Sequence, residues 1–263
     1  MTRHETFDTP TADKLPIANK DLVLATDLDG TFLGGTDADR KKLYQFIENN
    51  RSRVGLIFVT GRDPGFINDL VRKRGVPRPD YVVGDVGTTI AAMGDDCHLR
   101  PIPELEEEIA EKWNEANARV QAALHRAPGL SLQSTGFRYR VSYDLDPGRF
   151  DRAVLETVAE LGLDVLISDN KYFDVLPKGV SKGPSLTRLL AHLGIKNERV
   201  LVAGDTLNDL SMLTLGLPAV AVGGSEPALL KELEGHDHVH FAKGIGVAGI
   251  AEAIIAKQMF TAK

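Results

Sequence analysis

The fold of this chain is decided by the stretch LVLATDLDGT, residues 22–31. Its first four residues form an uninterrupted apolar run, which is typical of a strand buried on both faces of a parallel sheet. Two aspartates, Asp27 and Asp29, follow directly, and Gly30 permits a tight turn after them. Ligands bind beyond the carboxyl ends of the strands in open parallel sheets. The segment therefore predicts a buried strand that carries acidic groups into a binding crevice.

Further apolar runs of the same kind predict the rest of the sheet, at residues 54–59, 81–83, 200–203 and 219–222. Apolar residues at helical spacing lie between these runs, at residues 39–50, 64–74 and 182–193. Strands that alternate with helices predict an α/β fold with a doubly wound parallel sheet.

Residues 88–170 have a different pattern, which predicts a unit inserted into that core. The expected elements are, in order, one long helix at 104–126, a half-exposed strand at 138–143, a helix opened by Asp146-Pro147, and a strand at 165–167. A turn at 169–170 joins that strand to one at 172–176, which the bounds assign to the core. Helices mixed with antiparallel strands predict an α+β insertion at 88–170, which we call the cap. The core then comprises residues 20–87 and 171–263, and the polar residues 1–19 are expected to form a flexible arm.

The composition excludes several classes of function. The 263 residues include 37 acidic and 31 basic side chains, and the net charge of −6 argues against a nucleic-acid partner because no basic surplus displaces phosphate counterions. No apolar run approaches the ~20 residues that cross a bilayer, and residues 1–20 lack the apolar segment of a signal peptide. The single cysteine, Cys97, cannot form an internal disulfide. A cytoplasmic protein without a membrane partner is expected.

Polar residues follow two more of the predicted strands, as Thr60-Gly61-Arg62 and as GDTLND at 204–209. Because the strand ends meet at one edge of the sheet, the aspartates at 27, 29, 205 and 209 are predicted to converge. Four carboxylates repel one another unless a cation neutralises them, and oxygen ligands suit Mg²⁺. A carboxylate pair of this kind can serve phosphoryl transfer, one attacking and one moving protons. A lysine is then needed to offset the phosphate charge; Lys182, at a helix start, is the first candidate and Lys178 the second.

Four motifs, in order, resemble those of the haloacid dehalogenase superfamily of phosphatases: DLDGT at 27–31, VTGR at 59–62, the lysine of GVSKG at 179–183, and GDTLND at 204–209. Three further segments resemble the sucrose-phosphate phosphatase branch of that superfamily, to which mannosylfructose-phosphate phosphatase is related. They are PDYVVGDVGTTI at 79–90, RVSYDLDP at 140–147 and DVLPKGVSKG at 174–183.

The resemblance implies roles for the core residues. Asp27 would attack phosphorus and form an aspartyl-phosphate, and Asp29 would act as the general acid and base. The phosphoryl group would be held by Thr60, the Gly61 amide and Lys182. Mg²⁺ would be bound by Asp27, the Asp29 carbonyl and Asp205, while Asn208 and Asp209 support the metal waters or Lys182.

The resemblance also implies that the cap closes over the site and reads a sugar. The candidate readers are Arg138, Arg140, Tyr143 and Asp144, with Asp85 and Thr88 at the hinge. The implied function is Mg²⁺-dependent hydrolysis of a phosphomonoester on a small sugar, a disaccharide phosphate such as sucrose 6-phosphate or mannosylfructose 6-phosphate, by a monomer or homodimer.

Two alternative functions remain open. A sugar phosphomutase would use the same nucleophile, and arginines of the cap could hold a second phosphate: Arg138, Arg140, Arg149 and Arg152. A catalytically silent protein would only bind the sugar phosphate.

Two other patterns have simpler interpretations. The segment GIGVAG at 244–249 fits a dinucleotide fingerprint, but no second strand and no acidic residue ~20 residues on accompany it, so a loop before the last helix is expected. His236, His238 and His240 would share one face of a strand and could bind a metal, although no nearby cysteine supports this.

Overall fold

The computed structural model describes residues 16–73 and 75–261. The strands are β1 (Leu22–Thr26), β2 (Val54–Val59), β3 (Tyr81–Gly84), β4 (Thr89–Met93), β5 (Leu99–Pro101), β6 (Leu130–Leu132), β7 (Val141–Leu145), β8 (Leu163–Ser168), β9 (Tyr172–Pro177), β10 (Val200–Gly204), β11 (Ala219–Gly223) and β12 (Val239–Ile245). The helices are α1 (Asp37–Asn49), α2 (Pro64–Lys73), α3 (Pro103–Trp113), α4 (Asn117–Leu124), α5 (Ala153–Glu160), α6 (Lys182–His192), α7 (Leu210–Leu213), α8 (Pro227–Glu232) and α9 (Val247–Ala256).

The larger sheet confirms the predicted doubly wound α/β core. Its strand order is β12-β11-β10-β1-β2-β3-β4-β5, and the strands from β12 to β3 are parallel. The antiparallel strands β4 and β5 extend one edge. The chain proceeds outward from β1 to β3 and later returns to β10 on the other side of β1. The strand order therefore reverses at β1, which is where such sheets form their binding crevice.

Both faces of β1 are covered, as its apolar run predicts. Leu22 and Leu24 pack in a cluster with residues of α1 and α9, such as Ile47 and Ile250. Val23 and Ala25 pack on the opposite face, in a cluster that includes residues of α6. Within the described part of the chain, no helix has both the length and the apolarity to cross a membrane.

The second sheet confirms the predicted α+β insertion. Its order is β6-β7-β9-β8, and all its pairings are antiparallel. One face is apolar, because Val141 and Tyr143 of β7 pack beside Phe173 and Val175 of β9 against helices α4 and α5. The alternate residues point the other way. We call them the polar face: Arg140, Ser142, Asp144, Tyr172 and Asp174.

The predicted long helix at 104–126 is wrong, because the chain forms two helices there. Helix α3 ends at Trp113, and the next two residues, Asn114 and Glu115, have left-handed φ angles of 47° and 52°. The apolar stripe faces two different cores: Ile109 packs with the large sheet, whereas Trp113 packs in the second unit. The chain turns between them.

The helix predicted to begin at Asp146-Pro147 is also misplaced. Asp146 accepts hydrogen bonds from the Gly148 amide and, through its carbonyl, from the Arg149 amide, so this segment forms a turn. Helix α5 begins later, at Ala153, whose amide donates to Asp151 Oδ1.

The sheets place some strands differently from the predicted domain division. Strands β4 and β5, expected in the cap, pair in the large sheet, and β9, expected in the core, pairs in the second sheet. Boundaries at 88 and 170 stay a prediction, and the sheets favour an inserted unit that starts after β5 and ends with β9. Most of the predicted arm, residues 1–15, lies outside the described residues; Ile17–Asn19 forms a helical turn in which Ile17 is buried.

A first prediction concerns the second core. Phe173 is fully buried, with the rings of Tyr143 and Phe150 beside it. We expect Phe173→Ala to lower the free energy of unfolding by about 3–5 kcal/mol, because it leaves a cavity in a packed cluster. Urea denaturation measures this. The control is Leu132→Ala at a half-exposed position of the same sheet, expected to cost less than about 1 kcal/mol. Equal effects of the two substitutions would contradict the packing described.

Candidate active site

The site lies where β1, β2 and β10 end, at the reversal of strand order. Asp27 directly follows β1, and its amide donates to the Ala203 carbonyl of β10 over 2.9 Å. Thr60 follows β2, and its amide donates to the Val83 carbonyl over 2.8 Å. Asp205 follows β10. Backbone pairing thus carries each of these residues past the last regular pair of its strand and fixes the start of its side chain.

A tight turn after Asp27 lets Asp205 approach. Gly30 has a φ of +80°, and a Cβ built there would lie 2.1 Å from Asp205 Oδ2. Only glycine combines this conformation with so close a contact. Thr31, in the same turn, donates from Oγ1 to Asp205 Oδ1 over 2.6 Å. The turn therefore orients one oxygen of Asp205 and leaves room for the other.

Lys182 is the buried centre of the site. Its Nζ contacts Asp27 Oδ1 at 2.7 Å, Asn208 Oδ1 at 2.6 Å and Asp209 Oδ1 at 2.6 Å, so all three ammonium protons have acceptors. The side chain has no exposed surface. Asp209 Oδ2 in turn accepts from the amides of Asp205 and Thr206. The alternative lysine, Lys178, is exposed.

The site holds more negative charge than Lys182 neutralises. Oxygens of Asp27, Asp205 and Asp209 all lie within 4.8 Å of one another. Burial, together with the charges of Asp209 and Asp205, raises the pKa of Asp27 well above its ordinary value although Lys182 opposes this. Burial and then the charge of Asp209 raise the pKa of Asp205 to about 7.

These residues fit a divalent cation. Among the residues that the structure describes, none donates a hydrogen bond to Asp27 Oδ2, which leaves that oxygen available beside Asp205. Asp209 has both oxygens engaged, one with Lys182 and the other with two amides. Asp27 and Asp205 are therefore the side chains suited to Mg²⁺, which takes a few carboxylates and keeps several waters.

Asp29 lies apart from the three clustered carboxylates. Its two oxygens accept from Arg62, Nε at 2.7 Å and a terminal nitrogen at 3.1 Å, and both side chains are about half exposed. The predicted metal contact of Asp29 concerned its main-chain carbonyl and stays a prediction. Arg62 was not among the predicted site residues, and the sequence offers no signal for this pair, which joins the ends of two strands.

A cavity of about 380 Å³ separates these strand ends from the second sheet. Asp27, Asp29, Thr60 and Gly61 line it from the core. The inserted unit contributes the other wall, which is polar: Gln133, Thr135, Arg140, Ser168, Asp169, Tyr172 and Asp174.

The structure places the four residues predicted to contact the sugar in different surroundings. Arg140 lines the cavity, and Asp144 accepts from Gln133, a lining residue, over 2.9 Å. Tyr143 points into the apolar core of the inserted unit. Arg138 instead forms an ion pair with Glu106 at 2.6 Å.

Tyr172 and Asp174 line the cavity but were missed by the sequence analysis. Their alternation with the apolar Phe173 and Val175 is the signal that could have found them, since it marks a strand with one polar face. The predicted hinge residue Asp85 is buried and pairs with Arg140 at 3.1 Å.

The two remaining patterns behave as ordinary structure. The loop predicted at 244–249 is wrong, because β12 continues to Ile245 and α9 begins at Val247. Gly246, the one residue between them, has a φ of +57° and packs against the backbone of Gly34. His240 contacts Glu252, and His238 contacts the Leu213 carbonyl, so these two rings have different partners.

The fold and this acidic site define a phosphoric monoester hydrolase of the haloacid dehalogenase superfamily. Residues 20–256 match the family described as "Sucrose-6F-phosphate phosphohydrolase". The chain belongs to this family.

Two individual relatives and one solved structure are similar to this chain over most of its length. A "Glucosylglycerol-phosphate synthase" of Pseudomonas anguilliseptica is 41% identical over 89% of this chain, which spans only 30% of that relative's length. A "Mannosylfructose-phosphate phosphatase" of Agrobacterium fabrum is 29% identical over 79% of this chain and 85% of its own length. The crystal structure of the sucrose-phosphatase from Synechocystis sp. PCC6803, in complex with sucrose and phosphate, superposes with a TM-score of 0.81 at 25% identity, covering 91% of this chain and 98% of that one.

A second prediction concerns the cation. We expect saturating Mg²⁺ to raise the melting temperature by about 5 °C or more, because it relieves repulsion among buried carboxylates and binds only the folded state. Differential scanning calorimetry with Mg²⁺ and with EDTA measures this. Asp205→Asn should abolish the increment, whereas Asp69→Asn, an exposed residue of α2 paired with Lys73, should retain it. An unchanged melting temperature in the unsubstituted protein would contradict the site.

Proposed function

We propose that this protein hydrolyses, with Mg²⁺, the phosphate monoester of a small glycoside. The cavity is the observation that supports this best. Asp27, a buried carboxylate paired with the fully buried ammonium of Lys182, lines it on one side, and hydroxyl, amide and carboxylate groups line the other. Such groups suit a substrate with many hydroxyls, and the volume is within the range of small-molecule sites.

In this proposal the chemistry follows from the placement of two carboxylates. Asp27 attacks phosphorus through a carboxylate oxygen, the bond from phosphorus to the sugar oxygen breaks, and Asp29 gives that oxygen a proton. Asp29 then takes a proton from the water that hydrolyses the aspartyl-phosphate. Thr60 and the Gly61 amide hold the phosphoryl oxygens, and Lys182 joins them by exchanging one of its three present acceptors for a phosphoryl oxygen. When bound by Asp27 and Asp205, Mg²⁺ would supply charge neutralisation.

Asp29 requires a rearrangement for this role, since Arg62 holds its carboxylate over 2.7 and 3.1 Å. Both side chains are about half exposed, so breaking the pair costs little. Asp29 would exchange Arg62 for the leaving oxygen when a substrate enters.

The substrate that we propose first is glucosylglycerol phosphate. The most identical relative described above is named as the synthase of that compound, and the segment it shares with this chain is a phosphatase-family segment. A phosphatase joined to a synthase can consume the product of that synthase. Sucrose 6-phosphate and mannosylfructose 6-phosphate, the substrates predicted from the sequence, are the second candidates, supported by the relatives of those names.

The arrangement of the cap arginines does not favour the mutase. Of the four arginines that suggested it, only Arg140 lines the cavity, and Arg149 and Arg152 are exposed. A silent binder would not need Asp29. The monomeric or homodimeric state and a cytoplasmic location stay predictions.

A third prediction tests the nucleophile. Asp27→Asn should lower kcat by more than about a thousandfold, because an amide oxygen cannot form the phosphoenzyme. Release of inorganic phosphate measures it, with Asp69→Asn as the folded, active control. If Asp27→Asn kept full activity, the nucleophile would lie elsewhere.

A fourth prediction tests the substrate. The panel contains glucosylglycerol phosphate, sucrose 6-phosphate, mannosylfructose 6-phosphate, trehalose 6-phosphate and hexose monophosphates, each assayed with Mg²⁺ and with EDTA. We expect kcat/KM to be highest for glucosylglycerol phosphate by about tenfold, EDTA to abolish turnover, and phosphate release to need no bisphosphate activator. A preference for either disaccharide phosphate would select the second candidates. Equal, weak activity on all would refute the glycoside proposal.

A further inference from the structure

The turn Asp85–Gly87, which follows β3, has an unusual backbone. Asp85, Val86 and Gly87 have φ angles of 50°, 58° and 103°, all in the left-handed region. Val86 is β-branched, and a residue of that kind adopts this conformation only at an energetic cost. Conformations of this kind persist only where the surroundings determine them.

The turn lies between the two elements that are proposed to bind phosphate. Its amides at Asp85 and Val86 donate to the carbonyls of Arg62 and Thr60, over 3.0 and 3.1 Å. On the other side, the Gly87 carbonyl accepts from Ser185 Oγ of α6 over 2.6 Å. A Cβ at Gly87 would lie 2.4 Å from the Ser181 backbone, so the turn packs directly against the start of α6.

Arg140 connects this turn to the second sheet. One terminal nitrogen of its guanidinium donates to Asp85 Oδ1 at 3.1 Å and to the Gly61 carbonyl at 3.4 Å. The other donates to Asp174 Oδ1 at 3.0 Å and to Ser142 Oγ at 2.7 Å. The residue is only 8% exposed. Its Nε is buried without a partner among the described residues, so no N–H group remains accessible to a sugar.

We propose that Arg140 is a positioning residue for the phosphate site and not a sugar reader. Its ion pair with Asp85 holds the turn 85–87, and through that turn the Thr60–Gly61 loop and the start of α6 that carries Lys182. The partners of Arg140 on β7 and β9 belong to the inserted unit. The geometry of the phosphate site therefore depends on how the second sheet is docked on the core.

The two roles, positioning the phosphate loop and contacting the sugar, predict different kinetic effects of substituting Arg140. A residue that reads the sugar affects only substrates that carry the sugar. A residue that positions the phosphate loop affects every phosphomonoester and also inorganic phosphate, the reaction product. The inference rests on the proposed function only for the choice of glycoside, because p-nitrophenyl phosphate tests the phosphate site without any sugar.

The experiment compares Asp85→Asn, Arg140→Met and the double variant. KM and kcat are measured with p-nitrophenyl phosphate and with glucosylglycerol phosphate, and Ki is measured for inorganic phosphate. We expect each single substitution to raise both KM values and the phosphate Ki at least about fivefold. The double variant should be no more impaired than the more impaired single variant, because both substitutions remove the same Arg140–Asp85 interaction. Hydrogen exchange in peptides covering 80–93 should become faster in all three.

The matched control is Arg188→Met. Arg188 forms an ion pair with Glu108 at 2.6 Å that also joins the core helix α6 to α3. That pair contacts neither 60–62 nor 85–87, so the substitution should leave the constants unchanged.

Two results would overturn the inference. One is unchanged constants for p-nitrophenyl phosphate and inorganic phosphate in folded variants, with a loss confined to the glycoside; Arg140 would then read the sugar. The other is additive effects in the double variant. If Arg140→Met does not fold, Asp85→Asn decides, because Arg140 still neutralises Asp174. Failure of the proposed function is distinct: the unsubstituted protein would cleave p-nitrophenyl phosphate but no glycoside phosphate.

Discussion

The rest of the structure depends on one buried ammonium group. Lys182 satisfies its three protons with Asp27, Asn208 and Asp209, which belong to two different strand ends, while Lys182 itself begins helix α6. Removing one partner of a buried ion pair costs about 3–5 kcal/mol, because the other charge stays buried. Strands β1 and β10 and helix α6 are therefore held in one relative placement. Among the described residues, the same contacts leave one oxygen of Asp27 without a hydrogen-bond donor, which suits a cation.

The two sheets form opposite sides of the cavity. The large sheet is buried on both faces, so polar groups reach a ligand only from the ends of its strands, and the groups at the carboxyl ends are the ones proposed to act on phosphate. The second sheet is buried on one face only, and its polar face supplies the other wall of the cavity. The core side of the cavity alone, without that wall, would accept many phosphomonoesters. The wall is therefore where selectivity among glycosides is expected.

The sequence predicted what depends on local pattern and missed what depends on pairing between distant segments. Apolar runs identified β1, β2, β3, β10 and β11, and the residues after them identified the site, because parallel strands must end at one edge. The assignment of β9 to the core failed, since its alternation does not say which sheet receives it. The break at Asn114 was hidden because one apolar stripe serves two cores. The Asp29–Arg62 pair and the Arg140–Asp85 pair join positions 33 and 55 residues apart, which no local pattern records.

The alternation along β9 has a consequence for how this family diverges. Phe173 and Val175 maintain the core of the inserted unit, whereas Tyr172 and Asp174 line the cavity. Tyr172 can therefore be exchanged without disturbing the apolar pair, whereas the buried Asp174 is fixed by its contact with Arg140. The cavity face of β9 can thus change in chemistry while its other face keeps the inserted unit packed. Relatives that differ from this chain in about three of every five positions, or more, are accordingly named after different sugar phosphates.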